Sequence, residues 1–450
     1  MALPTDNSHD SHWLALPVLT VAVGITSGLG GMSLGLLLRF IQHVTYGYSL
    51  RSLVSNESFL EGVVAASPSR RLVGLCTCGV VAGIGWWALS RFGRPLVSID
   101  KAVNDSESRM PLLSTILHDL LQIVTAALGS PLGREVAPRE FGAVVASWLS
   151  DRAGLSAEYR RIMVACGAGA GLAAVYNVPL GGALFTLEVL LGTLAFSAAM
   201  PAIATSAIAA IVAWIGLGNA RQYSLPNLAI SPSLILWSIV TGPFFGLSAY
   251  LFVRAAGVAH AHAPRDWRLL TWCAAVFPLI GLISFNFPQI LGNGKGLAQA
   301  AFDGNFGLLP AAALLILKVL VTLGALRAGA AGGLLTPGLS VGASLASVLG
   351  ALWNHLWPAG AIGAFAVVGS AAFLASSMKM PFTAIVLTLE FTRVSHDFLF
   401  PISLAVVGSI FVFHLCADRA VQPASRTRHD DIPLDAAQPP LKRQIAMQRV

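Results

Sequence analysis

The chain has 450 residues, of which 11% are charged and 55% fall in the hydrophobic classes. A water-soluble protein carries about a quarter charged residues, so this composition excludes a soluble globular surface and makes lipid the natural solvent. The net charge of +7 comes without the aromatic–basic interleaving of a nucleic-acid surface, and its Arg and Lys residues gather in short connections and near the C-terminal end, as with Arg152, Arg160, Arg161, Arg419 and Arg443. The positive-inside rule reads these as cytoplasmic, which predicts a multi-pass protein of the cell's inner membrane.

In chain order, residues 1–12 are polar, with Asp6, His9 and Asp10 where a signal peptide would be basic. The hydrocarbon core is roughly 30 Å thick and needs about 20 apolar residues per spanning helix. The run 13–40, interrupted only by Arg39, meets that need and predicts a retained membrane helix. Further runs follow at 72–89, 112–128, 234–252, 269–287, 306–326 and 398–416, and several others are shorter or broken by Gly and Pro. The expected fold class is all-α, a polytopic membrane domain over 13–418, with a short tail at 419–450 rich in Pro, Arg and Asp. The five cysteines lie in or beside apolar runs without metal-ligand spacing, so no metal and no cofactor is expected.

The domain repeats internally. Asn177-Val-Pro-Leu-Gly-Gly-Ala-Leu-Phe-Thr-Leu-Glu188 aligns with Lys379-Met-Pro-Phe-Thr-Ala-Ile-Val-Leu-Thr-Leu-Glu390, with Pro179, Thr186, Leu187 and Glu188 in register with Pro381, Thr388, Leu389 and Glu390. Small-residue runs precede both, at 167–174 and 369–377, and a Gly/Pro break lies upstream of each, at 133–138 and 332–337. Two repeats, about 13–217 and 230–418, are expected. Duplicated halves with interrupted helices at matching places are a transporter pattern. A broken helix exposes N–H groups at membrane depth, tolerated only inside protein or beside water, and those groups with the positive end of the helix dipole favour an anion.

The first break, Gly129-Ser-Pro-Leu-Gly-Arg-Glu-Val-Ala-Pro138, puts Glu135 near a helix N-terminus, with Gly133, Arg134 and Val136 around it. From position alone two readings stand. Glu135 competes with an anion for that N-terminus and leaves when protonated, or it caps the helix or pairs with Arg134. The second break, Gly329-Ala-Ala-Gly-Gly-Leu-Leu-Thr-Pro337, offers the N–H groups of Leu334, Leu335 and Thr336 and the Thr336 hydroxyl. The competing reading is a tight glycine turn with Thr336 bonded to its own backbone.

These segments resemble the CLC chloride channel and transporter family. Gly133-Arg-Glu-Val-Ala-Pro138 is similar to its Gly-Arg-Glu-Gly-Pro with one residue inserted, Gly333-Leu-Leu-Thr-Pro337 to its Gly-x-Phe-x-Pro, and Ala173–Glu188 to its Phe-Asn-Ala-Pro-Leu-x-Gly-x-Leu-Phe-x-x-Glu segment. The resemblance spans about 20–420. It implies a homodimer with one pathway for chloride or another small halide per subunit, an inverted repeat of short, tilted and broken helices, and a gating role for Glu135 with protons as a second transported species. Three departures accompany it. The family's Gly-Ser-Gly-Ile-Pro is absent, its nearest match being Gly93-Arg-Pro-Leu-Val-Ser-Ile-Asp100 with Ser98 as a displaced substitute. Val189 stands where exchangers carry an internal glutamate. The stretch Asp418-Arg-Ala-Val-Gln-Pro423 lacks the family's terminal tyrosine. Thr336 and the lost serine motif also occur in a fluoride/proton branch, whose glutamate is replaced here by Leu334, so fluoride is the alternative substrate.

Other signals have ordinary readings beside functional ones. Glu188 and Glu390 are expected to hold loops by hydrogen bonds. Lys318 is expected to snorkel to an interface or add positive potential. His118 and Asp119 are expected as a polar pair facing a cavity or as a structural contact. Gly338-Leu-Ser-Val-Gly342 matches a serine-nucleophile pattern but lacks a strand–turn–helix setting, which leaves a membrane hydrolase at Ser340 as the alternative of another class. Gly292-Asn-Gly-Lys-Gly296 reads as a shaping loop, and the Gly- and Ala-rich faces near 167–171 read as helix packing.

Overall fold

The computed structural model describes residues 8–48, 58–105, 107–357 and 360–421, so nearly all of the expected tail and the first seven residues lie outside the described part. The first half contains α1 (Ser8–Tyr46), α2 (Phe59–Ala65), α3 (Pro68–Phe92), α4 (Ile99–Asn104), α5 (Leu112–Ala127), α6 (Val136–Arg152), α7 (Ala157–Tyr176), α8 (Pro179–Phe185) and α9 (Phe196–Leu217). The second half contains α10 (Pro232–Ala261), α11 (Arg268–Ile283), α12 (Lys295–Phe302), α13 (Leu308–Arg327), α14 (Leu335–Leu356), α15 (Ile362–Ser377), α16 (Pro381–Thr392) and α17 (Leu399–Val421). Among the described residues the fold is all-α.

Seven of these helices are long and apolar enough to cross a membrane, and five shorter apolar helices lie between them. At 1.5 Å per residue the short ones cannot span a hydrocarbon core alone. The outward faces are apolar, with Phe92, Phe196, Ile215 and Leu309 each more than three-quarters exposed. Lipid tails cover such a belt without penalty, whereas water would not.

The two small-residue runs form the centre. Residues 162–176 of α7 and 363–376 of α15 are buried without interruption. Close backbone approach explains their composition, since a side chain on Gly167 would meet the Gly142 carbonyl and one on Gly171 the Pro138 carbonyl.

Two helix boundaries differ from the sequence expectation. The first helix runs from Ser8 to Tyr46, past both ends of the apolar run 13–40, because a helix continues past its apolar part once its backbone bonds are made. The run 269–287 ends as helix at Ile283, and Phe287 (φ −128°) precedes Pro288, which opens a 3-10 turn. A residue before proline is pushed out of the helical region.

Glu188 and Glu390 tie the halves together. Glu390 accepts from the N–H groups of Leu180 (3.0 Å) and Gly181 (2.7 Å) at the start of α8. Glu188 accepts from the N–H groups of Phe382 (3.0 Å) and Thr383 (2.7 Å) and from the Thr383 hydroxyl (2.6 Å) at the start of α16. Each carboxylate closes the N-terminus of the other half's proline-initiated helix, where negative charge is stabilised. Glu188→Gln and Glu390→Gln are each expected to cost about 1–2 kcal/mol, read as a lower melting temperature in detergent. Unchanged melting in both variants would show that these caps contribute no stability.

Candidate functional site

Both breaks are built the same way. After α5 the chain turns at Gly129, whose φ of +105° favours glycine, and resumes as α6 with Pro138 in the first turn, where a missing N–H leaves no bond unmade. After α13 it turns at Gly329 (φ +92°) and resumes as α14 with Pro337 in the first turn. The breaks then join. Gly133 N–H donates to the Gly333 carbonyl (2.7 Å) and Gly333 N–H to the Gly133 carbonyl (2.9 Å). A side chain on either glycine would overlap the Glu135 carboxylate.

Glu135 is fully buried. It occupies the N-cap position of α6 but makes no side-chain cap bond there. Its carboxylate crosses instead to the other half, where Oε1 accepts from the Leu335 N–H at 2.7 Å. Oε2 lies 3.4 Å from the Tyr176 hydroxyl and 3.5 Å from the Thr336 hydroxyl, and these two hydroxyls are 3.0 Å apart. No ion pair joins Glu135 to Arg134 among the described residues. Glu135 therefore is a helix cap, but of α14. The N–H group, the dipole of a 22-residue helix and two hydroxyls stabilise negative charge at one enclosed point. Such a point accepts one anionic group at a time.

The other expected residues take distinct places. The Gly133 N–H is committed to the bridge, so this residue shapes the break. The Leu335 N–H faces the carboxylate, Leu334 is the N-cap residue of α14, and Val136 opens α6. Thr336 bonds Tyr176 rather than only its own backbone. The Arg134 guanidinium lies over the Tyr176 ring, 5.7 Å from its centroid. Ser98 is not brought to this cluster. Its hydroxyl caps the short helix α4 by accepting from the Lys101 N–H (3.2 Å).

A cleft of about 60 Å³ is lined by Arg39, Arg134, Asn177, Arg221, Gln222 and Lys295, among others. All the charged residues lining it are cations, which raises the local concentration of anions. Gln222 bridges it to the cluster, donating to the Tyr176 carbonyl (3.1 Å) and accepting from Lys295 Nζ (3.2 Å).

Sequence reasoning did not find the role of the Tyr176 hydroxyl. The available signal was a lone phenol ending an otherwise small-residue apolar run. The expectation for Lys318 is corrected. It neither snorkels nor reaches an interface, being fully buried with Nζ donating to the carbonyls of Pro131 (3.3 Å), Ile290 (3.2 Å) and Gly292 (2.7 Å). It pins the first break to the turn at 292–294, whose Gly292 N–H donates to the Gly129 carbonyl (3.0 Å). Ser340 lies within α14, its hydroxyl donating to the Pro337 carbonyl (2.8 Å), far from the strand–turn–helix setting of a nucleophile.

Comparison with known proteins gives a consistent picture. The family pattern described as "Voltage gated chloride channel" matches residues 78–414. The chain is 27% identical over 344 residues to the "Voltage-gated ClC-type chloride channel ClcB" of Citrobacter koseri, covering 74% of this chain and 82% of that one. It is 32% identical over 297 residues to the "H(+)/Cl(-) exchange transporter ClcA" of Cronobacter sakazakii, covering 63% of each. In fold it is similar to a "slow cyanobacterial Cl-/H+ antiporter" (TM-score 0.75, 20% identity, 89% of this chain and 95% of that one). It is also similar to a "CLC-type fluoride/proton antiporter" (TM-score 0.67, 21% identity, 90% and 98%).

Proposed function

This chain belongs to the voltage gated chloride channel family, and from that premise we propose that Glu135 gates chloride movement by occupying, as a carboxylate, the place the anion takes. The protein is a multi-pass inner-membrane protein that transports small inorganic anions. The observation that carries the gating reading is the 2.7 Å bond from the Leu335 N–H to Glu135, made across the two halves. When Glu135 is ionised, its carboxylate holds the N-terminus of α14. When a proton neutralises it, the dipole and N–H group no longer favour it, and an anion arriving from the cationic cleft replaces it. Leu335 and Thr336 then supply an N–H and a hydroxyl to the halide, with Gly133, Arg134, Val136 and Leu334 forming the surroundings. Ser98 has no part in this reading, being a cap of α4.

The units of this reading are the two repeats, about 13–217 and 230–418, and a homodimer with one pathway per subunit. Fluoride is the second substrate reading. Two hydroxyls, of Tyr176 and Thr336, converge on Glu135, and hydroxyl donors suit the strongest hydrogen-bond acceptor among the halides. The test is efflux from liposomes of the purified full chain, comparing chloride with fluoride while tracking pH.

Tyr176→Phe removes one hydroxyl partner of the Glu135 carboxylate and is expected to loosen the closed gate, so that efflux at neutral pH rises about twofold. Efflux that stays or falls would show that the phenol does not hold the gate.

A further inference from the structure

A second cationic cavity lies away from the gate, where the connection from α10 to α11 meets the end of α13. Its volume is about 470 Å³, and its walls carry Arg265, Arg268 and Arg327 beside Trp272, with Asp266 as the one carboxylate. Asp266 is already engaged. Its Oδ1 accepts from the Arg268 N–H (3.1 Å), and its Oδ2 lies 3.7 Å from Arg268 Nε. No carboxylate lies within ion-pair distance of Arg265 or Arg327 among the described residues. The Arg327 guanidinium is held in place by the Trp272 ring, 4.5 Å from its centroid. Two guanidiniums with free donors thus face one hollow.

The setting is a membrane boundary. α10 and α13 are each long and apolar enough to cross a bilayer, and the cavity lies at the end of both, which is the level of the headgroups. Trp272 marks that level as interfacial tryptophans do. Apolar faces lead away from the cavity along two helices. On α11, Trp272 is followed on the same face by the exposed Leu279 and Leu282. On α13, the exposed Ile316 and Leu320 precede Arg327 on one face. These helices are neighbours, since a side chain on Gly324 of α13 would touch Val276 of α11.

We propose that this cavity binds the phosphate of an anionic phospholipid, with the acyl chains lying along the exposed faces of α11 and α13. A phosphodiester carries one negative charge and two free oxygens, which suit the paired donors of a guanidinium. Basic pockets between membrane helices recognise lipid headgroups in this way. The cationic headgroup of a phosphatidylcholine would be repelled by the three arginines, whereas phosphatidylglycerol has no cation to repel. The apolar faces select a lipid over free phosphate, because a soluble anion would leave them unused. The bound phosphate would tie the α10–α11 connection to the end of α13. That junction is the approach to the second break, since a side chain on Gly329 would meet Leu269 and the Pro264 carbonyl. The site does not depend on Glu135 being the gate.

The test is isothermal titration calorimetry of the purified full chain in an uncharged detergent. The probes are a short-chain phosphatidylglycerol, a phosphatidylcholine of the same chains, and inorganic phosphate. Wild type is expected to bind the phosphatidylglycerol about tenfold more tightly than either of the others. Arg265→Gln and Arg327→Gln are each expected to weaken that binding about tenfold, the loss of one charge-assisted bond. Arg265 is exposed, so its variant decides the matter even where Arg327→Gln fails to fold. Arg254→Gln removes an exposed cation of α10 outside the cavity and should bind as wild type does. Equal affinity for phosphatidylcholine, unchanged binding by Arg265→Gln, or the same loss in Arg254→Gln would overturn the proposal. Inorganic phosphate binding as tightly as phosphatidylglycerol would overturn the lipid as occupant. Chloride efflux that Arg265→Gln slows in vesicles of phosphatidylcholine alone, with lipid affinity unchanged, would assign the cavity to the transported anion instead.

Discussion

Chloride efflux from liposomes carrying Glu135→Gln is expected to be independent of pH, whereas wild-type efflux rises as pH falls. Glu135 is buried and is held by one N–H group, a helix dipole and two hydroxyls. In the gate reading a proton must displace that set of bonds before the side chain leaves, so the closed state is lost and efflux rises as pH falls. Glutamine has the shape of the protonated acid and no charge to lose, so the slope vanishes. Proton movement that accompanies wild-type efflux and stops in the variant identifies exchange. Anion flux with no linked pH change in either protein identifies a channel. A variant that keeps the wild-type pH slope would remove Glu135 from the gate.

Lys318→Met is expected to be the most damaging single substitution outside the gate. Methionine nearly matches the volume of the lysine stem, so the loss is that of the ammonium alone. Three carbonyls, from Pro131, Ile290 and Gly292, would lose their donor inside the protein. Each unsatisfied buried acceptor costs about 1 kcal/mol or more, giving roughly 3 kcal/mol in all. Because Pro131 lies in the first break, the damage reaches the bridge between Gly133 and Gly333. Little folded protein on size-exclusion chromatography, or a melting temperature lowered well beyond that of either Glu188→Gln or Glu390→Gln, is the expected result. A variant as stable as wild type would show that water satisfies these carbonyls and that the ammonium is dispensable.

Much of the molecule was legible before any coordinates. The lipid-facing composition, the long apolar helices, the two breaks at 129–138 and 329–337, and the nearness of Glu135 to a helix N-terminus all follow from features a few residues long. Helix length, Gly and Pro dihedral chemistry and small-residue spacing act locally, so a sequence displays them directly. The matching order of features in the two halves told which segments correspond, but not how they touch.

Tertiary structure decided the partners. Glu135 bonds an N–H group 200 residues away, and Glu188 and Glu390 each serve the other half's helix. The Tyr176 hydroxyl closes the cluster, Lys318 turns inward to three carbonyls, Ser98 stays with its own short helix, and His118 faces Glu140 of α6 rather than its neighbour Asp119. None of these has a local signature, because a hydrogen bond between distant segments depends on where the backbone has carried each end. A buried polar group must find a partner or change its charge, and which partner it finds is settled only when the helices pack.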